Sequence, residues 1–208
     1  MDLFLLTIGP PILIIFYIVR SDRFPEPLPL IIKTFLLGCV LCIPAGYLHF
    51  IFNITQENAY FAGLTEETLK FLAFLFFITK QKVFDEKMDG IVYGVLISLG
   101  FATFENYEYV YVYFPDIDSY YIAIIRALSA IPMHAMCGII MGYYLGMHYF
   151  DKRSNFLFQA LFIPIIFHAL YNYATYYNPL NYLILIAMFI YARKLHREFI
   201  KIQNDKLC

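Results

Sequence analysis

Residues 90–114 read GIVYGVLISLGFATFENYEYVYVYF. The stretch up to Phe104 holds no charged residue, and the whole run is long enough to cross a bilayer core, which takes about 20 mostly apolar residues. Gly90, Gly94, Ser98 and Ala102 step by four along it, a stripe that lets another helix backbone come close. The next step reaches Asn106, beside Glu105. The stretch is therefore read as a packed transmembrane helix with a carboxylate near one end, and the rest of the chain is read outward from it.

The composition agrees. Of 208 residues, 61% are hydrophobic and 15% charged, whereas soluble domains run nearer half apolar and a quarter charged. The mean hydropathy is +0.64. Such a chain cannot cover a water-soluble globule. We expect an all-α polytopic membrane bundle, one domain over residues 1–208, with the lipid bilayer as its surroundings. The net charge of −1 predicts no nucleic-acid footprint. Four cysteines (Cys39, Cys42, Cys137, Cys208) are too few for a disulfide framework, and Cys39-x-x-Cys42 reads as two small buried hydrophobes. The N-terminus does not read as a signal peptide, because Arg20 and Arg23 follow the apolar run and Asp2 precedes it.

Seven spans are expected: Leu3 to Val19, Leu30 to Phe52, Tyr60 to Thr79, Gly90 to Phe114, Tyr120 to Phe150, Phe156 to Tyr177, and Leu180 to Tyr191 with its extension. Pro10-Pro11 should fray the outer end of the first, and Pro132 should kink the long fifth. Arg20, Arg23, Lys33, Lys80, Lys82, Lys87, Lys152, Arg153, Arg193, Lys194, Arg197, Lys201 and Lys206 all fall on one side, 13 of 15 basic residues. The positive-inside rule makes that side cytoplasmic, with the N-terminus outside and the C-terminus inside. With no Trp, Tyr must anchor the interfaces, and Tyr107, Tyr109, Tyr111 and Tyr113 crowd one span end. His148 and His196 lie at the cytoplasmic edge and need no special role.

Ionisable groups at bilayer depth are costly and mark function. They are Glu66, Glu67 and Lys70 on span three, Glu105 and Glu108 on span four, Arg126 and His134 on span five, and His168 with Asn172 on span six. His49 sits near the outer end of span two, and Arg126 is expected to snorkel or to pair with Glu108 or Asp116. Counted from the outer ends, Glu66, Glu105 and His168 share a level roughly 9–14 Å below the surface. His134 continues a second stripe, Gly138, Gly142 and Gly146. Lys70 lies i+4 from Glu66 and i+3 from Glu67, so it can neutralise either. Two carboxylates and two imidazoles in one membrane-embedded pocket suit hydrolysis: a carboxylate can activate water, and His with Glu can hold a zinc ion that does so. A proton or ion pathway is the competing use of the same groups, and an idle scaffold a third.

The residues also resemble a known family. Glu66-Glu67-Thr-Leu-Lys70 looks like the E-E-x-x-K motif of the PrsW intramembrane proteases. Asp89-Gly90-Ile-Val-Tyr-Gly94 and Phe101-Ala-Thr-Phe-Glu105-Asn106 look like its D-G-x-x-Y-G and F-x-x-x-E-N segments. His134 with Gly138, and His168-x-x-x-Asn172, follow in the same order, so the resemblance covers residues from about 60 to 175. The CAAX prenyl endopeptidases and immunity-type relatives are more distant; they carry His where this chain has Glu105. The resemblance implies cleavage of a membrane-tethered, single-span protein on its extracytoplasmic side, as in site-1 cutting of an anti-sigma factor, in a prokaryotic plasma membrane. On that basis Glu66 is expected to act as base with Glu67 and Lys70 supporting it. Glu105, His134 and His168 are expected to bind a divalent metal such as zinc or, without one, to orient water and the oxyanion. Asn172 is expected to assist either arrangement.

Overall fold

A computed structural model describes residues 2–115, 119–152, 154–177 and 179–205; Asp116, Arg153, Lys206 and Cys208 lie outside the described residues. Among these residues eight α-helices follow in order: α1 (Leu3–Ser21), α2 (Leu28–Ile51), α3 (Ala62–Ala73), α4 (Lys87–Tyr107), α5 (Ser119–Leu128), α6 (Ala130–Asp151), α7 (Asn155–Ala174) and α8 (Leu180–Asp205). A 3₁₀ segment at Gln56–Phe61 leads into α3, and wide π turns at Phe74–Ile78 and Glu108–Tyr113 extend α3 and α4. There is no strand among the described residues.

Helix α4 is the axis of the bundle. Every residue from Met88 to Thr103 is buried, including Gly90, Gly94 and Ser98. Its small-residue stripe faces that of α6: a Cβ added at Gly94 would stand 2.5 Å from the Gly138 carbonyl oxygen, and one at Gly138 2.7 Å from that of Gly94. α1 and α2 lie outside this pair. Their inner faces are narrow (Thr7, Pro11 and Ile18; Thr34, Gly38, Cys42 and Ala45), while Leu5, Leu13, Phe16, Leu36, Val40 and Ile43 are exposed. Apolar side chains turned outward from a buried polar centre are what a lipid environment allows.

Among the described residues, five segments are long and apolar enough to cross a membrane: Leu3–Ser21, Leu28–Ile51, Lys87–Tyr113, Ser119–Asp151 and Asn155–Tyr177. The expected third span falls short because α3 has 12 residues, three of them Glu66, Glu67 and Lys70. The seventh does so because α8 turns charged from Arg193 onward.

Two expectations about prolines need correction. The outer end of α1 does not fray; it is helical from Leu3, with the Asp2 side chain accepting from Phe4 N at 3.0 Å. Pro11 lacks the N–H that would bond the Thr7 carbonyl. Asn106 supplies the missing donor, its Nδ2 reaching Thr7 O at 2.8 Å. The break in the fifth span lies at Ser129 (φ −132°, ψ −72°), three residues before Pro132. Placed in the first turn of α6, Pro132 needs no N–H partner, and its ring disfavours a helical carbonyl four residues earlier. The chain therefore restarts as α6 instead of bending within one helix.

Candidate active site

α3 approaches α7 at Gly63, where a Cβ would come within 2.9 Å of the Ala169 amide nitrogen. One turn further along α3 come Glu66 and Glu67, and another turn brings Lys70. All three are buried at 0–2% exposure. The adjacent glutamates diverge. Glu66 lines a cavity of about 840 Å³, together with His49, Glu105, Arg126, His134, His168 and Asn172. Glu67 and Lys70 stand behind it and do not line the cavity.

The polar groups form one continuous network. Glu67 Oε1 accepts from Lys70 Nζ at 2.7 Å and from His168 Nδ1 at 2.9 Å. Lys70 Nζ also lies 3.0 Å from His134 Nδ1 and 4.2 Å from the centre of the Phe101 ring. Because an ammonium can only donate, His134 Nδ1 is the acceptor, and its Nε2–H donates to Glu105 Oε2 at 3.1 Å. That same oxygen accepts from Arg126 Nη2 at 2.6 Å, and Arg126 Nε donates to Asn106 Oδ1 at 2.8 Å. Asn106 in turn holds the Thr7 carbonyl that Pro11 left free. Residues from α1, α3, α4, α5, α6 and α7 are thus joined without a gap.

Glu66 stands apart from these bonds. Its carboxylate lies 3.8 Å from Lys70 Nζ, 3.8 Å from His49 Nε2 and 3.9 Å from His168 Nε2, each just beyond hydrogen-bond range. Since His168 spends its Nδ1–H on Glu67, its Nε2 carries the lone pair, on the side of Glu66.

The structure brings together Glu66, Glu67, Lys70, Glu105, His134 and His168. Asn172 lines the cavity but spends its amide on Ala59 O at 2.9 Å, tying the segment before α3 to α7. Arg126 departs from expectation: it neither snorkels nor pairs with Glu108, but lies over the Tyr109 ring at 3.9 Å and grips Glu105. Helix α5 is short and separate, which sets its last turn against the end of α4. His49 also enters the site, 3.0 Å from Thr65 Oγ1. Its depth near the end of α2 was the only signal in the sequence. Cys42 is a free, buried thiol donating to Phe101 O at 3.2 Å, and Cys39 is also free.

Donor atoms of Glu66, Glu67, His134 and His168 lie within 4.8 Å of one another, and Glu66 Oε2 and Glu67 Oε2 are buried without a hydrogen-bond partner. Two imidazoles and two carboxylates with unused oxygens suit a zinc-class ion. Both nitrogens of His134 are engaged, so it joins such a set only when Lys70 shifts. Glu105, expected among the ligands, lies outside this close group and is held by Arg126 and His134.

Comparison with known proteins points the same way. The family described as "PrsW family intramembrane metalloprotease" matches residues 26–193. Protease PrsW of Clostridioides difficile (strain 630) is 38% identical over 188 residues, covering 83% of this chain and 79% of that protein. The Protease PrsW proteins of Oceanobacillus iheyensis and Bacillus subtilis (strain 168) are 36% and 34% identical, each over 80% of this chain and 79% of their own length. No solved structure matches. With its Glu-Glu-x-x-Lys helix, its buried Glu/His cluster and a family match over most of its length, this chain belongs to the PrsW family of intramembrane metalloproteases and is a multi-pass membrane peptidase.

Proposed function

We propose that the chain is an endopeptidase that admits a stretch of a single-span, membrane-tethered protein into the cavity and hydrolyses it with water activated at Glu66. The observation that carries this is the position of Glu66: it lines the cavity, is 2% exposed, has one oxygen without a partner, and is ringed at 3.8–3.9 Å by Lys70, His49 and His168. A carboxylate so placed can take a proton from water once substrate enters, with His168 Nε2 beside it to accept or return that proton. Glu67 fixes the His168 ring through Nδ1, and Lys70 offsets the Glu67 charge. Glu105 orients His134 and is itself held by Arg126. A divalent metal held by Glu66, Glu67 and His168, with His134 completing the set, would supply Lewis-acid polarisation of the scissile carbonyl and of water. Without one, the same residues work as a glutamic peptidase.

Seven crossings fit this reading, α3 and the apolar half of α8 adding to the five longer segments, with the N-terminus outside and the C-terminus cytoplasmic in a bacterial plasma membrane. Support comes from the lysines and arginines and from the cavity mouth. Thr55, Tyr113 and Thr175 line the cavity and lie at the helix ends away from the basic connections. Cutting near the extracytoplasmic side, for instance of an anti-sigma factor, follows from that access. A proton relay across the bundle has less support, because neither residues 90–104 of α4 nor residues 135–147 of α6 contain Asp, Glu, His, Lys or Arg.

The test is cleavage of a co-reconstituted single-span protein by the wild type, Glu66→Gln and His168→Ala, with and without chelator. Loss in both variants supports the reading, and cleavage surviving in both overturns it. Loss on chelation with recovery on adding zinc selects the metal; indifference to chelator selects the glutamic form.

A further inference from the structure

A second group of carboxylates lies at the opposite end of α4. Asp22 follows α1, Glu26 sits in the connection to α2, and Asp89 is in the first turn of α4. They are 8%, 8% and 1% exposed, and one oxygen from each lies within 4.8 Å of the others. Buried carboxylates so close repel one another and have lost their hydration, so each needs a compensating charge or proton. The partners present are neutral. Tyr93 donates its hydroxyl to Glu26 Oε2. Gln203 of α8 donates to Asp22 Oδ1 at 2.7 Å and also to Glu86. Phe24 N donates to Asp22 Oδ1 at 3.0 Å, and Asp89 Oδ2 accepts from the amides of Asp85 and Glu86 at 2.8 Å each. Among the described residues no Lys, Arg or His nitrogen lies within 4.0 Å of the three; the nearby Lys87 is committed to Asp151 at 2.6 Å.

One observation goes beyond proximity. Asp22 Oδ2 and Asp89 Oδ1 are buried with no hydrogen-bond partner at all. Burial, reinforced by Asp22 and Asp85, pushes the Glu26 carboxyl above its ordinary range, the response of an acid held without a counter-charge.

We propose that Asp22, Glu26 and Asp89 bind a hard divalent cation of the Mg²⁺ or Ca²⁺ class, which fastens the α1–α2 connection to the start of α4. The donors are all oxygen, with no imidazole or thiolate, which favours those ions over zinc. The unpartnered oxygens come from segments 67 residues apart in sequence, so the ion closes a contact that the chain alone leaves repulsive. The site is independent of the catalytic cavity and of the chemistry proposed there.

The full chain, purified in detergent and stripped with chelator, is titrated with Mg²⁺, Ca²⁺ and, for spectroscopic counting, Mn²⁺, while thermal unfolding is followed by circular dichroism. Mg²⁺ or Ca²⁺ should raise the midpoint by about 3–8 °C, since binding to the folded state alone stabilises it. A Glu66→Gln/His168→Ala chain, with the cavity disabled, should show the same rise. Glu26→Gln should lose the rise and, in chelator, melt no lower than the wild type. Bound Mn²⁺ in the wild type keeps the test open where Asp22→Asn fails to fold. Absence of both a rise and bound Mn²⁺ up to about 10 mM overturns the proposal and leaves the carboxyls sharing protons. A rise that persists in Glu26→Gln overturns it as well, placing the ion elsewhere.

Discussion

Helix α4 carries a carboxylate near each end, buried Asp89 in its first turn and half-buried Glu105 sixteen residues on, about 24 Å along the axis. At the Glu105 end the three acids of the cluster each have a basic partner close by: Arg126 for Glu105, Lys70 for Glu67, and Lys70, His49 and His168 around Glu66. At the Asp89 end the carboxylates of Asp22, Glu26 and Asp89 meet, and among the described residues their donors are neutral. One end balances its charge with side chains from several helices. The other leaves the balance to a proton or an ion. A charge removed at the first end should therefore harm the protein, whereas one removed at the second should not.

The largest effect is expected at Glu66. Glu66→Gln keeps the shape and should lower cleavage of a reconstituted substrate by about 10²–10⁴-fold while the melting temperature stays near wild type. Near-normal turnover would remove Glu66 from the reaction. Lys70→Met leaves Glu67 buried beside neutral groups, which should cost about 3–5 kcal/mol of stability. Adding Glu67→Gln should recover much of that loss, and a double variant no better than the single would break the charge-balance claim.

Arg126→Gln should cost about 2–3 kcal/mol and slow cleavage roughly 10–100-fold, because Glu105 then orients His134 poorly. A double-mutant cycle with Glu105→Gln reads the coupling, and strict additivity would show that the two do not act together. Between the two ends, Gly94→Ala should destabilise by about 1–3 kcal/mol, its Cβ meeting the Gly138 carbonyl. Gly9→Ala, with nothing within 4 Å, should be neutral or stabilising by up to about 1 kcal/mol, which controls for helix propensity. The smallest effect has the opposite sign: in chelator, Glu26→Gln should match or slightly exceed the wild type in melting temperature. A clear drop would make the two ends of α4 alike.

Much of this arrangement was legible in the chain. The membrane class followed from composition, and the α4–α6 seam from two stripes of small residues that the structure sets face to face. That Glu66, Glu105 and His168 could share one level followed from counting residues along helices of constant rise, and the structure brings all three to one cavity. Partners could not be counted. Arg126 was expected at Glu108 or Asp116, but its partner depends on the break at Ser129, which turns α5 relative to α6. The Asp89 cluster is not visible in the sequence: nothing there singles out Asp22 or Glu26, and Asp89 reads only as part of a motif.

By itself, then, the sequence determined that the protein belongs in a membrane, which faces of its helices pack, and which ionisable residues interrupt its apolar runs, since each rests on local period and composition. Only the tertiary structure decided that Glu66 faces the cavity while Glu67 stands behind it, that Asn106 repairs the gap Pro11 leaves in α1, and that three acids meet with no counter-charge among the described residues. Those depend on helix rotation and on contacts between segments tens of residues apart, and neither is encoded in any one stretch of the chain.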